Sequence, residues 1–237
     1  MYPLSPDEME ALWLSLRVAL WSTLASLPFG VAVALLLARV NFPGKTVFDA
    51  VVHLPLVLPP VVVGYLLLLL LGRRGLFGEW LFDWFGVVVA FKWTGAAIAS
   101  AIMSFPLLVR AIRLSLESVD RKLEAAAGTL GAGRTAVFAS ITLPLAFPGI
   151  LTGMLLCFAR SLGEFGATIT FVSNIPGETR TLPLAIYGYM QSPGGDADAL
   201  RLSLVSIVIS LAALLASEVL VRRATLRTLG HDDQRRD

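Results

Sequence analysis

EAAAGTLGAGRTAVFASITLP, from Glu124 to Pro144, is a glycine- and alanine-rich stretch between two long apolar segments. Asp120 precedes it at a position typical of a helix N-cap, and Gly131 stands where glycine commonly ends a helix. Between them, four residues recur at helical spacing: Leu123, Ala126, Ala127 and Leu130. A second short apolar stripe follows the turn: Val137, Phe138 and Ile141. The stretch therefore predicts a helix-turn-helix hairpin.

The same stretch contains a near match to a phosphate-binding loop. Gly128, Gly133 and Thr135 fit the pattern G-x-x-x-x-G-K-[ST], but Arg134 stands in place of the lysine. That motif also needs a preceding strand and a separate acidic residue for magnesium. The residues before Gly128 follow a helical pattern, and nothing in the sequence predicts a sheet. We therefore expect no nucleotide site here.

Long apolar segments predict an all-α integral membrane protein. Hydrophobic residues make up 56% of the chain and charged residues only 15%, whereas soluble domains carry about 25% charged residues. Each segment is long enough to cross a bilayer as a helix. We predict five spans, the second of them kinked by prolines: residues 11–38, 48–71, 88–109, 145–164 and 200–221. Ser5 is expected to cap the first helix, and Cys157 to be an inert packing residue in the fourth.

An odd number of spans places the two termini on opposite sides of the membrane. Lysine and arginine are retained on the cytoplasmic face. Twelve of them lie on the side that holds Arg134 and the C-terminal residues, against six on the other side. We therefore predict a periplasmic N-terminus, a cytoplasmic tail over residues 223–237 and a cytoplasmic position for the hairpin.

Periodicity alone leaves two positions open for the hairpin, since an amphipathic helix packs either on its own bundle or in a groove of another protein. A resemblance favours the second position. The stretch is similar to the EAA loop of type I ABC importer permeases, whose pattern is Glu-Ala-Ala-x-x-x-Gly followed further on by Ile-x-Leu-Pro. Four residues match that spacing: Gly131, Ile141, Leu143 and Pro144.

The departure from the pattern concerns the residue that names it. Glu124 lies one position early, so Ala125 occupies the usual glutamate position, and the two alanine positions fall at Ala126 and Ala127. The resemblance implies a type I permease domain over residues 9–222, with residues 117–144 as its cytoplasmic coupling loop. It also implies that this loop docks on a separate ATP-binding subunit. ATP and Mg would be used there, while this chain binds no cofactor.

Two further segments resemble the molybdate permeases of this family: HLPLVLPPVVVGYLLLLLLG from His53 and ARSLGEFGATITFVSNIPGETRTLP from Ala159. The resemblance implies a subunit that moves molybdate across the bacterial inner membrane by alternating access. Tungstate and sulfate permeases are the close alternatives, because their substrates are tetrahedral dianions of similar shape. The implied partners are a second copy of the chain, two ATP-binding subunits on the cytoplasmic side, a periplasmic molybdate-binding protein and membrane lipid. No nucleic acid is expected.

Charged residues near the outer ends of the spans allow two interpretations. Arg160 and Glu164 are four residues apart, and they form either a structural ion pair or part of the pathway. Gly166 and Thr168 follow them, and would line the same hydrated path or mark an ordinary helix break. Arg180 and Arg201 lie in or beside the next outer loop, where solvated charges are expected, with a docking protein as the alternative contact.

No constellation for catalysis is evident, and we assign no catalytic residue. An intramembrane enzyme needs a nucleophile, an acid-base pair or a metal at membrane depth, and two histidines with one cysteine supply none. His53 and Asp49 are expected to form a polar pair rather than a metal site. An ATP-independent secondary transporter or channel is the alternative of a different class, although internal repeats and frequent intramembrane charges are not evident.

Overall fold

The fold is a helical bundle with a hairpin at one end. The computed structural model describes the backbone of residues 4–233 and the side chains of residues 4–216 and 219, so most of the predicted tail's side chains lie outside the described residues. All regular structure among these residues is helical, as predicted. In chain order the elements are α1 (Pro6–Arg39), α2 (Lys45–Val57), α3 (Pro60–Leu71), α4 (Leu76–Phe85), α5 (Trp93–Ser118), α6 (Arg121–Thr129), α7 (Arg134–Val137), a π turn (Phe138–Thr142), α8 (Leu143–Leu162), α9 (Gly166–Val172), α10 (Leu182–Met190) and α11 (Asp196–Asp233).

Four helical runs within residues 4–233 are long and apolar enough to cross a membrane: α1, α5, the continuous run from α7 through α8, and the first part of α11. The pair α2 and α3 makes a fifth when it counts as one span. The third span is shifted toward the C-terminus relative to its predicted bounds, since α5 begins at Trp93 and continues to Ser118. The later start follows a loop after α4, where Gly86 adopts a left-handed conformation with φ +65°.

The predicted kink in the second span is a full break. The axes of α2 and α3 differ by 111°. Leu58 and Pro59 are both extended, with ψ of 141° and 131°, because a residue before proline is pushed out of the helical conformation. Pro60 then opens α3 at its first position, where a missing N–H costs no hydrogen bond.

A cluster of buried polar side chains joins α1, α5 and α8. Ser22 of α1 donates to Ser161 of α8 (3.0 Å), and Ser161 donates to Ser104 of α5 (3.2 Å). Cys157 is fully buried, with its sulfur 3.0 Å from the Ser104 hydroxyl oxygen, so it packs in the interior. Hydrogen bonds between small side chains on neighbouring helices stabilise contacts of this kind in membranes.

The capped start of α1 lies beside the start of α11. The Ser5 hydroxyl accepts from the Glu8 N–H, and the Glu8 carboxylate accepts from the Ser5 N–H (2.7 Å), which confirms the predicted cap. Glu8 is fully buried, and its other oxygen accepts from Arg201 (2.6 Å). Arg201 also contacts Asp198 (2.9 Å). The expectation of a solvated Arg201 is therefore wrong, because two carboxylates hold it within the chain.

Candidate functional site

The first arm of the hairpin forms at the predicted residues. The Asp120 carboxylate accepts from the Lys122 backbone N–H (2.9 Å) and caps α6. Gly131 has a φ of +86°, the left-handed conformation that ends a helix. The Ala132 N–H then donates to the Ala127 carbonyl (3.1 Å), which completes a Schellman motif. The second arm begins with α7 and runs through the π turn into α8 without interruption.

Three of the four residues of the predicted apolar stripe face away from the bundle. Leu123 is 50% exposed and Leu130 is 89% exposed, and Ala126 between them is exposed as well. These three residues lie at i, i+3 and i+7, so they share one face of the helix. Glu124 and Ala127 are half-buried on the inward side. These three residues of the hairpin are therefore not packed on its own bundle, and docking in a groove of another protein stays a prediction.

Glu124 contacts α1 and the π turn. Its Oε1 accepts one hydrogen bond from Nη2 of Arg39, at the end of α1 (2.8 Å), and another from Oγ1 of Thr142 (2.6 Å). A cavity of about 690 Å³ lies beside this contact, between α1 and the hairpin. The sequence did not indicate Arg39 or Thr142 as partners, because they are 85 and 18 residues away along the chain and carry no local signal.

The remaining positions of the loop motif lie on both arms of the hairpin. Ala125 is exposed on α6, and Ile141 is half-buried in the π turn. Leu143 and Pro144 are exposed at the start of α8, directly after the π turn. The structure thus brings the matched residues into one hairpin. Their part in docking stays a prediction.

A second candidate site lies where α8 ends. Glu164 is 2% exposed, and its Oε1 accepts from the Ala167 N–H at the start of α9 (2.8 Å). Its Oε2 lies 2.7 Å from Nη1 of Arg160 in an ion pair, without the angle of a hydrogen bond. Thr168 is fully buried and donates to the Phe165 carbonyl (2.8 Å). The pair of Arg160 and Glu164 is therefore real, and a role in the pathway stays a prediction.

The break before α9 lies against the break before α3. A Cβ on Gly166 would be 2.7 Å from the Pro60 Cβ, and one on Gly64 would be 2.5 Å from the Ala167 carbonyl oxygen. The two backbones approach this closely because both positions are glycine. This contact was not predicted from the sequence. The glycines were the only signal for it, and they do not reveal which helix approaches them.

The other polar residues singled out in the sequence form pairs. His53 Nδ1 lies 3.1 Å from the Asp49 carboxylate, as expected of a polar pair, and Arg113 of α5 donates to the same carboxylate (2.9 Å). Arg180 donates to the Asn174 side chain (3.1 Å), so it too has a partner within the chain. Among the side chains that the structure describes, residues 4–216 and 219, no three His, Cys, Asp or Glu are grouped so that they would hold a metal ion.

Comparison with known proteins identifies the family. Residues 26–226 match the family described as binding-protein-dependent transport system inner membrane component. This chain belongs to that family. The permease is 63% identical over 219 residues to the molybdenum transport system permease protein ModB of Escherichia coli strain K12, with 92% of this chain and 96% of the relative covered. It is 36% identical over 227 residues to the sulfate transport system permease protein CysT of the same strain, with 96% and 81% covered.

A solved structure agrees with the fold. The permease matches a chain of a bacterial alginate ABC transporter, solved in complex with an alginate pentasaccharide-bound periplasmic protein, with a TM-score of 0.74 and 20% identity. The match covers 93% of this chain and 80% of that one, and at this identity it shows the fold alone. It confirms the predicted type I importer permease fold. Family membership and the apolar helices confirm a multi-pass inner-membrane permease rather than an enzyme.

Proposed function

We propose that this chain is the permease subunit of an ATP-driven importer that moves molybdate across the bacterial inner membrane. The molybdenum permease is 63% identical to it over nearly its whole length, whereas the sulfate permease is 36% identical. This difference favours molybdate over sulfate. Tungstate has the same charge and a similar shape, and is the second candidate substrate.

The exposed stripe on α6 is the observation that supports coupling of this chain to an ATP-binding subunit. Leu123 and Leu130 present apolar surface on a charged hairpin that the proposed orientation places in the cytoplasm, and such surface marks a site for a partner. The partner proposed is an ATP-binding subunit, which would use ATP and Mg while this chain binds neither. Because α7, the π turn and α8 are continuous, displacement of the docked hairpin would move α8 directly.

Close packing inside the bundle supports a second copy of the chain as a partner. A Cβ on Gly30 of α1 would be 2.7 Å from Leu108 Cδ2, and one on Gly153 of α8 would be 3.0 Å from the Leu108 carbonyl oxygen. Helices that approach so closely leave no room between them for a hydrated anion. We therefore place the pathway at a surface shared by two copies, which two ATP-binding subunits would serve.

The two ends of α1 support the proposed orientation. Glu8, near its first residue, contacts Arg201 near the start of α11, whereas Arg39, its last residue, contacts the hairpin. The start of α1 and the hairpin thus lie at opposite ends of the bundle. With the hairpin cytoplasmic, the other end faces the periplasm and receives molybdate from a binding protein. Closure of the ATP-binding subunits would then switch access from one end to the other.

Reconstitution into vesicles tests the function. The permease is combined with its candidate ATP-binding subunit and binding protein, and uptake of labelled molybdate, tungstate and sulfate is measured with and without ATP. We expect uptake that requires ATP and prefers molybdate to sulfate. Uptake at full rate without ATP would instead support a secondary transporter or channel, and equal uptake of sulfate would contradict the substrate assignment.

A paired substitution tests the docking surface. Leu123→Ser combined with Leu130→Ser removes the apolar stripe, and both side chains are exposed, so the fold should be preserved. We expect the ATP-binding subunit no longer to copurify with the permease. Leu76→Ser is the matched control, because Leu76 is 77% exposed on α4, which packs on α3 rather than belonging to the hairpin. Copurification that survives the paired substitution would contradict docking through α6.

A further inference from the structure

Glu124 lies beside the docking stripe but faces the other way. Leu123, its neighbour, is 50% exposed, whereas the Glu124 side chain is 23% exposed. Successive residues of an α-helix point about 100° apart, so the carboxylate is turned from the stripe toward the bundle. The residue that resembles the name-giving glutamate of the loop is therefore not presented to a partner.

The contact that Glu124 makes joins three elements at one oxygen atom. Arg39 is the last residue of α1, and Thr142 is the last residue of the π turn. Both donate to Oε1 of Glu124, at 2.8 and 2.6 Å. Hydrogen bonds to an ionised group are about twice as strong as neutral ones. A single carboxylate thus ties α6 to α1 and to the beginning of α8.

Apolar packing contributes little to this connection. Neither α6 nor α7 has a buried residue. The cavity of about 690 Å³ between the hairpin and α1 is lined by Leu35 and Arg39 of α1 and by Gly128 and Phe138 of the hairpin. Because side chains do not fill this space, the polar contact carries much of the attachment of α6 to α1.

We infer that Glu124 is a positioning residue that transfers displacement of the docked hairpin to α1 through Arg39. Helix α8 follows the hairpin because the chain is continuous, but α1 is distant in sequence and needs a contact of this kind. The inference rests on the proposed function, in which an ATP-binding subunit displaces the hairpin. This role is internal to the chain. It therefore does not require Glu124 to occupy the usual glutamate position of the loop motif.

Exchanging the two charges tests the contact in the permease alone. Arg39→Glu and Glu124→Arg each place like charges together, and the combination R39E/E124R restores an opposite pair. We expect amide hydrogen exchange in α6 to be about fivefold faster in either single variant, and close to the unmodified protein in the combination. Arg110→Gln is the control, because it removes an exposed charge from α5, in the half of that helix that leads into the hairpin.

A second readout tests the transfer to α1 in the complete transporter. The ATP-binding subunit should copurify with every variant, while ATP-dependent uptake falls about fivefold or more in the single variants and recovers in the combination. Single variants that exchange and transport like the unmodified protein would overturn the inference. So would loss of copurification with unchanged exchange, because Glu124 would then belong to the docking surface. If the unmodified chain neither binds an ATPase nor transports, the proposed function fails. The hydrogen-exchange result would still test the contact between Glu124 and Arg39.

Discussion

Gly64 of α3 lies against the backbone of α9, where a Cβ at residue 64 would be 2.5 Å from the carbonyl oxygen of Ala167. The hydroxyl of Thr170, one turn further along α9, would be equally close. Both helices begin directly after an interruption of helical structure, so this contact holds the two interrupted regions together. A backbone carbonyl cannot move away by changing rotamer. The close contact therefore depends on residue 64 being glycine, which has no side chain.

We predict that Gly64→Ala separates α3 from α9. Inserting a methyl group into a close contact costs about 1–3 kcal/mol, so the permease should unfold at a lower temperature in detergent, and uptake should fall with it. Gly163→Ala is the matched control. Residue 163 has an ordinary φ of −93°, and a Cβ there would meet no atom within 4 Å, so the substitution should be tolerated. Equal unfolding temperatures for the two variants would contradict the close approach.

The ion pair of Arg160 and Glu164 predicts non-additive substitutions. Arg160→Ala leaves a carboxylate of 2% exposure without its cation. Breaking a fully buried pair costs about 3–5 kcal/mol, and the loss should be smaller here because the Arg160 side chain is 30% exposed. Arg160→Gln combined with Glu164→Gln should be less harmful, since the amide oxygen at residue 164 still accepts from the Ala167 N–H.

Thermal unfolding of the purified variants measures this coupling. The combined variant should be more stable than Arg160→Ala alone. A loss in R160Q/E164Q equal to the sum of the losses in Arg160→Gln and Glu164→Gln, each measured alone, would show that the two side chains do not interact. If stability is unchanged throughout but uptake is lost, the pair belongs to the pathway rather than to the fold.

Local signals predicted the hairpin well and its attachment poorly. Asp120 and Gly131 act within a few residues of themselves, through a side-chain cap and a left-handed backbone, so their positions were readable from the sequence. The contact of Glu124 with Arg39 depends on how α1 and α6 meet in space. The residue types at positions 39 and 124 do not specify how these two helices pack.

The same distinction explains the second span. The prolines of residues 55–60 predicted an interruption, because a residue before proline avoids the helical conformation. The angle of 111° between α2 and α3 was not predictable from them. At this break Gly64 and Gly166 allow α9 to approach α3, and α9 is distant along the chain, so no local signal describes how the two helices are arranged.

The end of α6 predicts different outcomes for two nearby glycines. Gly131 has a φ of +86° and open space around it, so replacement is opposed by the backbone conformation and not by crowding. Gly131→Ala should destabilise the helix end by about 1–2 kcal/mol. Gly128→Ala, inside α6 and equally open, should stabilise it by up to about 1 kcal/mol. Hydrogen exchange in α6 measures both, and faster exchange in Gly128→Ala would contradict the assigned helix.

The hairpin's two faces predict a pattern of thiol labelling. Cys157 is the only cysteine in the chain and is fully buried, so a maleimide should label it only after denaturation. In a Cys157→Ser background, Ala126→Cys introduces a thiol on the exposed stripe, and Ala127→Cys introduces one on the half-buried side. Labelling should be fast at residue 126 and slower at residue 127.

Binding of the ATP-binding subunit should reverse that order. Residue 126 lies between Leu123 and Leu130, so a partner seated on the stripe would cover it, and labelling there should fall about tenfold or more, as expected of a complex with more than nine-tenths of the sites occupied. Residue 127 faces the bundle and should change little, because the docked surface lies on the other side of α6. Protection at residue 127 without protection at residue 126 would mean that the partner inserts between α6 and α1, and would contradict a docking surface formed by the exposed leucines.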